Sequence, residues 1–349
     1  MRDDLVVIID SGIDVNNQEI MEHVEGGFQL VFKDGHIFRN NDICDCYGHG
    51  TNCADYILSL SHSSQFYVIK IINEDGLSYS CLMLEALKSC LDIPAKIICM
   101  SLSVTTKTCE IETDLHEICR RLYKQGKVIC ISENNEMRHS QPARFKEVIG
   151  VRADYGMEKE KMIVDENLDI QVIADGTPVF LRGKNGEYNF FKGCSKANAF
   201  VSGIIFDQQK NEHIGNMESA LVALKKLSKN KEKNEFVKEI DYGIGDMPKT
   251  DLDRMLEDLI LEAIEKIGGN KPEREAFRES PIMSRLNGIS YFNFYRFLLY
   301  LYHKLGISDE DFRGINVYDI CTAYRLREFL KKRLRNEAEK QNSRIAYAI

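Results

Sequence analysis

The chain has 349 residues, of which 44% are hydrophobic and 29% are charged, and its formal net charge at pH 7 is −8. This length exceeds what one hydrophobic core usually supports and predicts two domains, and the composition is ordinary for a soluble globular protein. The acidic balance argues against a general nucleic-acid partner, and no apolar run reaches the roughly 18–20 residues that span a bilayer.

Short apolar segments alternate with amphipathic segments from residue 5 to residue 228. The apolar segments predict buried strands at Leu5–Ile9, Phe66–Ile72, Ala95–Met100, Val128–Ile131 and Glu147–Val151. Between them, apolar residues three and four apart predict helices that include Leu82–Leu91 and Glu110–Gln125. Continuous apolar strands separated by helices are typical of an α/β fold with a parallel sheet covered on both faces.

The composition changes after Lys225, and no strand-rich segment follows. Residues 229–249 begin with a lysine-rich stretch and predict a solvated linker between a first domain at 1–228 and a second at 250–349. The second domain is predicted to be helical. Its helices are expected to begin with a capping box at Thr250–Asp253, and to continue at Tyr291–Leu305, near Val317–Ala323 and from Tyr324.

The cysteines and the first residues bear on the cellular compartment. The 11 cysteines are an odd number scattered through predicted strands and helices, which suits reduced thiols in a cytosol. Leu5–Ile9 predicts a buried strand and not the longer apolar region of a signal peptide. We therefore expect a cytoplasmic protein.

One cysteine group has part of the spacing of a metal site. Cys44, Cys46 and Cys53 lie near His49 in sequence, and the spacing of these residues matches part of a zinc-binding motif. No second Cys/His pair with matching spacing follows. We therefore predict no metal site, and the sequence leaves calcium binding open.

Three polar residues, each within two positions of a glycine, follow one another along the first domain. Asp10 lies in Ile9–Asp14, His49 in Gly48–Thr51 and Ser195 in Gly193–Ala197. Taken singly, such residues are typical of a turn cap, a loop and a helix N-cap. A serine hydroxyl, however, becomes a good nucleophile when a base lies in hydrogen-bond reach and a third group orients that base. The three together predict an Asp–His–Ser triad.

These three segments, in this order, resemble the motifs of the subtilisin-like serine peptidases, the subtilases. The resemblance covers about residues 5–228 and implies a subtilisin-like sheet and serine endopeptidase activity. Around the nucleophile, Cys194 replaces the family's Thr, Lys196 its Met and Ala199 its Pro, and none of these changes removes a catalytic group. Residues 174–176, Ala-Asp-Gly, are similar to the family's Ala-Pro-Gly turn before the nucleophile.

The resemblance also implies an oxyanion donor. The strand at Val128–Ile131 and the residues after it look like the subtilase segment that ends in Gly-Asn-Glu. This register makes Asn135 the donor, followed by Glu136, and puts Asn134 in place of the glycine. A register shifted by one residue would make Asn134 the donor instead.

A further segment is expected to contact the substrate. Cys99–Ser103 resembles the family's edge segment, whose free backbone groups pair with an extended peptide, so Ser101, Leu102 and Ser103 are expected to bind substrate. Ser103 replaces a glycine and predicts a narrower pocket beside it. Glu133 and Glu136 are expected near the rim of that pocket, and solvated loop charges are the alternative for both. Glu133 and Asn134 are expected to contact the substrate.

The helices of residues 250–349 resemble a four-helix acyl or peptidyl carrier domain. In the register set by Gly306, Tyr291 occupies the position of the phosphopantetheine-bearing serine and Ser290 that of the preceding aspartate. A phenol does not replace that hydroxyl, so we expect no phosphopantetheine and no other cofactor. The resemblance implies a docking domain, and the alternative is an unrelated small helical bundle.

These expectations predict a cytoplasmic serine endopeptidase that acts on a peptide or protein substrate, without a nucleic-acid or membrane partner. The carrier-like domain suggests a precursor peptide, or a protein partner of a maturation pathway, docked at residues 250–349. Two alternatives remain: a catalytically silent peptide-binding scaffold, and a carrier protein fused to a peptidase relic.

Overall fold

The computed structural model describes residues 2–103, 109–135, 140–183, 186–209, 214–228, 242–307 and 312–346. Packing divides the chain into two compact units. The first unit comprises Met1–Pro178, Arg182–Gly186 and Phe191–Lys238, and the second comprises Val179–Leu181, Glu187–Phe190 and Glu239–Ile349. Residues 229–241 of the predicted linker lie outside the described residues. No helix among the described residues is long and apolar enough to cross a membrane.

The first unit is built on a nine-stranded sheet. In pairing order its strands are β3 (His36–Asn40), β2 (Val24–Lys33), β4 (Gln65–Lys70), β1 (Arg2–Asp10), β5 (Ala95–Met100), β6 (Val128–Ser132), β7 (Ile149–Asp154), β9 (Val172–Asp175) and β8 (Met162–Val164). The edge strands β3 and β8 are antiparallel to their neighbours, and all the other pairs are parallel. The predicted α/β fold is confirmed, and the predicted parallel sheet is parallel except at its two edge strands.

Helices cover both faces of this sheet. They are α1 (Gln18–Met21), α2 (His49–Leu60), α3 (Ser80–Ser89), α4 (Cys109–Lys124), α5 (Gly193–Gln208) and α6 (Met217–Ser228). Helices α3 and α4 pack on the face that includes Ile98 and Ile129. Asn198 of α5 contacts Cys99 and Cys130, which alternate with those residues along β5 and β6, so α5 lies on the opposite face.

Sequence periodicity did not reveal β2. Its burial pattern mixes buried, half-buried and exposed residues, because the strand pairs with an exposed hairpin partner on one side and a buried strand on the other. Gly27 is required there: a Cβ atom at that position would lie 2.4 Å from the Val68 carbonyl oxygen. Glycines also weaken a strand signal, since they are depleted in strands.

The second unit contains α7 (Asp251–Ala263), continued by a π-helical turn at Ile264–Gly268, then α8 (Arg274–Glu279), α9 (Phe294–Leu305), a 3-10 turn at Val317–Asp319 and α10 (Ala323–Ala346). The capping box between Thr250 and Asp253 is present as predicted. Helix α9 begins three residues later than predicted, because Ser290 and Asn293 hydrogen-bond to backbone N–H groups of the preceding turn.

This unit is not purely helical. It includes most of a two-stranded ribbon, β10 (Val179–Arg182) and β11 (Tyr188–Phe191), which the sequence analysis did not identify. The ring of Phe180 is buried and lies 5.7 Å from the ring of Tyr188, 6.1 Å from that of Phe294 and 6.3 Å from that of Phe312. The ribbon therefore contributes aromatic side chains to the core of the second unit.

We expect Phe180→Ala to lower the free energy of unfolding of the second unit by about 3–5 kcal/mol, because it removes a large buried ring and leaves a cavity. Phe292→Ala is the matched control: that ring is 99% exposed, so its removal should change stability by less than about 0.5 kcal/mol. Chemical denaturation followed by circular dichroism measures both. Equal effects of the two variants would contradict the assignment of Phe180 to this core.

Candidate active site

Asp10 is the last residue of β1, at the carboxyl edge of the parallel sheet. Its carboxylate is buried and accepts a hydrogen bond of 2.8 Å from the Ser11 backbone N–H. The chain then leaves the sheet through Gly12, whose φ is 108°, and a Cβ there would lie 2.5 Å from the Ile43 carbonyl oxygen. A glycine is therefore needed at position 12 for the chain to turn away from the sheet after Asp10.

His49 is the first residue of α2, and Gly48 precedes it with a left-handed φ of 100°. The Asp45 carboxylate binds this helix start, accepting hydrogen bonds from the backbone N–H groups of Gly48 at 2.6 Å and Thr51 at 3.0 Å. The sequence analysis missed Asp45, because the residue at the N-cap is Gly48, and an aspartate is a usual capping signal only at the N-cap position itself. A Cβ on Gly50 would lie 2.3 Å from the Gly12 carbonyl oxygen, so glycine lets α2 approach the Asp10 turn closely.

His49 and Asp10 are joined directly. Nδ1 of His49 lies 2.8 Å from Oδ1 and 3.0 Å from Oδ2 of Asp10. A carboxylate accepts only, so the Nδ1–H donates to Asp10 and Nε2 is the nitrogen able to take up a proton. Burial lowers the pKa of His49, but the Asp10 carboxylate, by charge and hydrogen bond, and the more distant Asp45 outweigh it and raise that pKa above its ordinary 6.5.

Cys53 lies one helical turn after His49. Its Sγ is 3.7 Å from Oδ2 of Asp10 and 4.0 Å from Nδ1 of His49, and burial together with the Asp10 charge raises the pKa of this thiol. These three residues place potential metal-ligating atoms within 4.8 Å of one another. Cys44 and Cys46 are not part of that group among the described residues, and the expectation of no metal site stays a prediction.

Ser195 is the third residue of α5, whose first residue, Gly193, has a φ of 74°. Asn198 Nδ2, one turn after Ser195, donates to Ser101 Oγ at 3.3 Å, and Cys53 Sγ lies 3.7 Å from the same oxygen. The helices that carry Ser195 and His49 therefore meet at Ser101. Among the hydrogen bonds of the described residues, none links the Ser195 hydroxyl to His49.

Asn135 follows β6 and lies beside the start of α5. Its Oδ1 accepts a 3.0 Å hydrogen bond from the Cys194 backbone N–H, next to the nucleophile position. With the amide oxygen held in this way, the Nδ2 group is the part of the side chain left to act as a donor. The Asn134 backbone N–H instead donates to Ser140 Oγ at 2.8 Å. The Asn135 side chain therefore lies beside the nucleophile position, and its role as the oxyanion donor stays a prediction; Glu136 lies outside the described residues.

Glu133 does not occupy the exposed rim at which it was predicted. Its carboxylate is buried and forms ion pairs of 2.6 Å with Arg144 and 2.5 Å with Arg152. Burial raises the pKa of Glu133, but the two guanidinium groups lower it more strongly, so its net pKa falls below the ordinary value. The predicted rim position and the solvated alternative both require an exposed side chain, which Glu133 does not have.

The segment Ser101–Ser103 continues β5 beyond its last residue. Leu102 packs against the hydrophobic core, and Ser103 Oγ accepts a 2.7 Å hydrogen bond from Ser140 Oγ. Together with the contacts to Ser101 Oγ, these interactions anchor all three side chains. The segment is held firmly at the strand end where Asp10, His49 and α5 come together.

Several known proteins have sequences similar to that of this chain. The family model of the subtilases matches residues 2–245. The chain is 23% identical over 217 residues to the major intracellular serine protease of Bacillus subtilis (strain 168), covering 57% of this chain and 66% of that protein. It is 23% identical over 221 residues to the intracellular serine protease of Paenibacillus polymyxa, covering 57% and 64%, so the matched region is slightly less than two thirds of either relative.

One further protein is similar to this chain in sequence, and one is similar in structure. Thermitase of Thermoactinomyces vulgaris is 20% identical over 211 residues, covering 57% of this chain and 72% of that protein. The crystal structure of a cold adapted subtilisin-like serine proteinase superposes with a TM-score of 0.51 at 16% identity, covering 64% of this chain and 81% of the other, which shows a shared fold. Because the family model spans most of its length, the chain belongs to the subtilase family of serine peptidases.

Proposed function

We propose that this chain is a serine endopeptidase that hydrolyses peptide bonds with Asp10, His49 and Ser195. The observation that carries the proposal is the hydrogen bond between His49 Nδ1 and Asp10, at the sheet edge where α2 meets the helix bearing Ser195. Membership of the subtilase family supports it.

In this mechanism the roles follow from the donor and acceptor groups. Asp10 holds the tautomer of His49 in which Nε2 is free to remove the Ser195 hydroxyl proton during attack on the scissile carbonyl carbon. His49 then returns that proton to the leaving amine, and a water molecule repeats the cycle on the acyl-enzyme. The hydrogen bond between Ser195 and His49 forms when substrate is bound, as catalytic contacts often tighten only in the complex.

The negative charge of the tetrahedral intermediate is stabilised by the Asn135 Nδ2 group and the Ser195 backbone N–H. The peptide substrate pairs as an extended strand with the backbone of Ser101–Ser103, whose side chains are already anchored. Fixing this edge in advance reduces the conformational entropy lost when substrate binds.

Labelling with a fluorophosphonate tests the reaction class without knowledge of the substrate. The proposal requires that the reagent modify Ser195, as located by mass spectrometry of the digested protein, and that denatured protein stay unlabelled. A chain that remains unmodified while correctly folded would be a silent peptide-binding scaffold. Incubation with a peptide mixture, followed by mass spectrometry, then shows which bonds are cut.

We expect hydrolysis to rise with pH, with a midpoint above 6.5, because His49 must be neutral to act as a base and Asp10 raises its pKa above that value. Below the midpoint the imidazole is protonated and kcat/KM falls about tenfold per pH unit. Measurement of kcat/KM from about pH 5 to pH 9 gives the midpoint. Asp10→Asn should shift it downward; a midpoint at or below 6.5 in the unaltered protein would contradict the assignment.

We also propose that the protein acts inside the cell. Two relatives are named intracellular proteases, and every cysteine whose side chain is described is a free thiol, as expected in a reducing compartment. We propose that residues 250–349 dock a precursor peptide or a protein partner, because their sequence resembles that of a carrier domain. They are proposed to do so without phosphopantetheine, since a phenol stands at Tyr291.

A further inference from the structure

Lys196, directly after the proposed nucleophile, is buried. It lies in the first turn of α5 with 1% of its side chain exposed, and its Nζ is 2.7 Å from Oδ2 of Asp175, whose side chain is equally buried. The same Nζ is 3.3 Å from the Asp175 backbone oxygen and 5.6 Å from the centre of the Tyr56 ring. Burial lowers the pKa of Lys196, and the Asp175 charge counteracts this by favouring the ammonium form.

Both residues of this pair depart from the family motifs, as Cys194 and Ala199 also do. Lys196 stands in the place of a methionine, and Asp175 in the place of the proline of the Ala-Pro-Gly turn. The two positions are 21 residues apart in sequence, yet their side chains contact each other. A buried charge is costly without a partner, so each departure makes the other tolerable.

Asp175 connects Lys196 to the turn that follows β9. Its Oδ1 accepts a 2.8 Å hydrogen bond from the Thr177 backbone N–H, and its Oδ2 accepts a 2.9 Å hydrogen bond from the Glu160 backbone N–H. Every oxygen of this carboxylate therefore has a protein partner. The ammonium group of Lys196 is thus held by a carboxylate that cannot easily turn away.

The same turn also holds the residues before the nucleophile. The Gly193 backbone N–H donates to the Gly176 carbonyl oxygen at 2.9 Å, and the Gly176 N–H donates to the Asp154 carbonyl oxygen at 3.1 Å. Ser195 is therefore flanked by two attachments to one turn, through Gly193 on one side and Lys196 on the other.

We infer that Lys196 and Asp175 are positioning residues that fix the start of α5 and so set the reactive position of the Ser195 hydroxyl. The inference rests on the proposed peptidase function. Neither residue touches substrate; they act through the backbone on both sides of Ser195. A displacement of about 1 Å at a reacting group can cost about 100-fold in rate, so the loss of one partner should be visible in the reactivity of Ser195.

The test compares Lys196→Met, Asp175→Asn and the double variant by fluorophosphonate labelling of the full chain. The fraction labelled at completion counts correctly folded sites, and the second-order rate constant reports how reactive each folded Ser195 is. Each single variant leaves a buried charge unpaired, so we expect its rate constant to fall about 10- to 100-fold. The double variant has no unpaired charge and should return to within about threefold of the unaltered chain, a strongly non-additive result.

Lys127→Met is the matched control. Lys127 is also buried in the first unit, where its Nζ donates to the carbonyl oxygens of Ile93 at 2.6 Å and Ala95 at 3.0 Å. Its replacement should lower the labelled fraction or the stability and leave the rate constant per labelled site unchanged.

Three results would overturn the inference. Single variants that lose labelled fraction but keep the rate constant would show a purely structural pair. A double variant as slow as the product of the two single losses would show that the residues act independently. If Lys196→Met does not fold, a double variant no faster than Asp175→Asn would show the same. Failure of the unaltered, folded chain to react at Ser195 would instead refute the proposed function along with the inference.

Discussion

Ser195→Ala should lower kcat by about 10⁶-fold, the size of loss seen when the serine of such a triad is removed from subtilisin. The reason is that the oxygen that forms the acyl-enzyme is gone, while Asp10 and His49 keep their hydrogen bond. Peptide binding should persist, because the backbone of Ser101–Ser103 is untouched. Steady-state kinetics on a cleaved peptide, with binding of the same peptide measured by calorimetry, separates the two quantities.

A matched serine in the same helix serves as the control for that variant. Ser202 is buried in α5 about two turns after Ser195, so Ser202→Ala makes the same atomic change away from the reacting group. It should retain kcat within a few-fold of the unaltered chain. If Ser195→Ala stayed active, or Ser202→Ala lost activity equally with its fold intact, Ser195 would not be the nucleophile.

Asn135→Ala should lower kcat by about 10²–10³-fold with little change in KM, because the donor acts mainly on the charge that develops in the transition state. The side chain has a second role, since its Oδ1 accepts from the Cys194 N–H. Asn135→Asp keeps an acceptor for that N–H and removes the Nδ2 donor, so an equal or larger loss of kcat in this variant identifies the donor as the cause.

The neighbouring amide tests the register. Asn134→Ala should lower kcat far less than Asn135→Ala, because it is the Asn135 side chain that lies against the Cys194 N–H beside the nucleophile. A large loss in Asn134→Ala together with a silent Asn135→Ala would show that the oxyanion donor lies one residue earlier.

Much of the first unit could be predicted from local sequence. Continuous apolar runs identified β1, β4, β5, β6 and β7 because strands of a parallel sheet are buried on both faces. Asp10, His49 and Ser195 were recognisable because each lies within two residues of a glycine whose φ is positive, at Gly12, Gly48 and Gly193. Such requirements are local and leave a visible pattern of residue types.

The tertiary structure alone decided how distant residues combine. Glu133 was expected near substrate, and only the packing revealed its two arginine partners, 11 and 19 residues further along the chain. The pairing of Lys196 with Asp175 and the place of Phe180 in the core of the second unit were equally invisible. Periodicity reports which residues are buried, but the partner that a buried charge or ring meets depends on contacts between segments far apart in sequence, and only the folded chain brings those together.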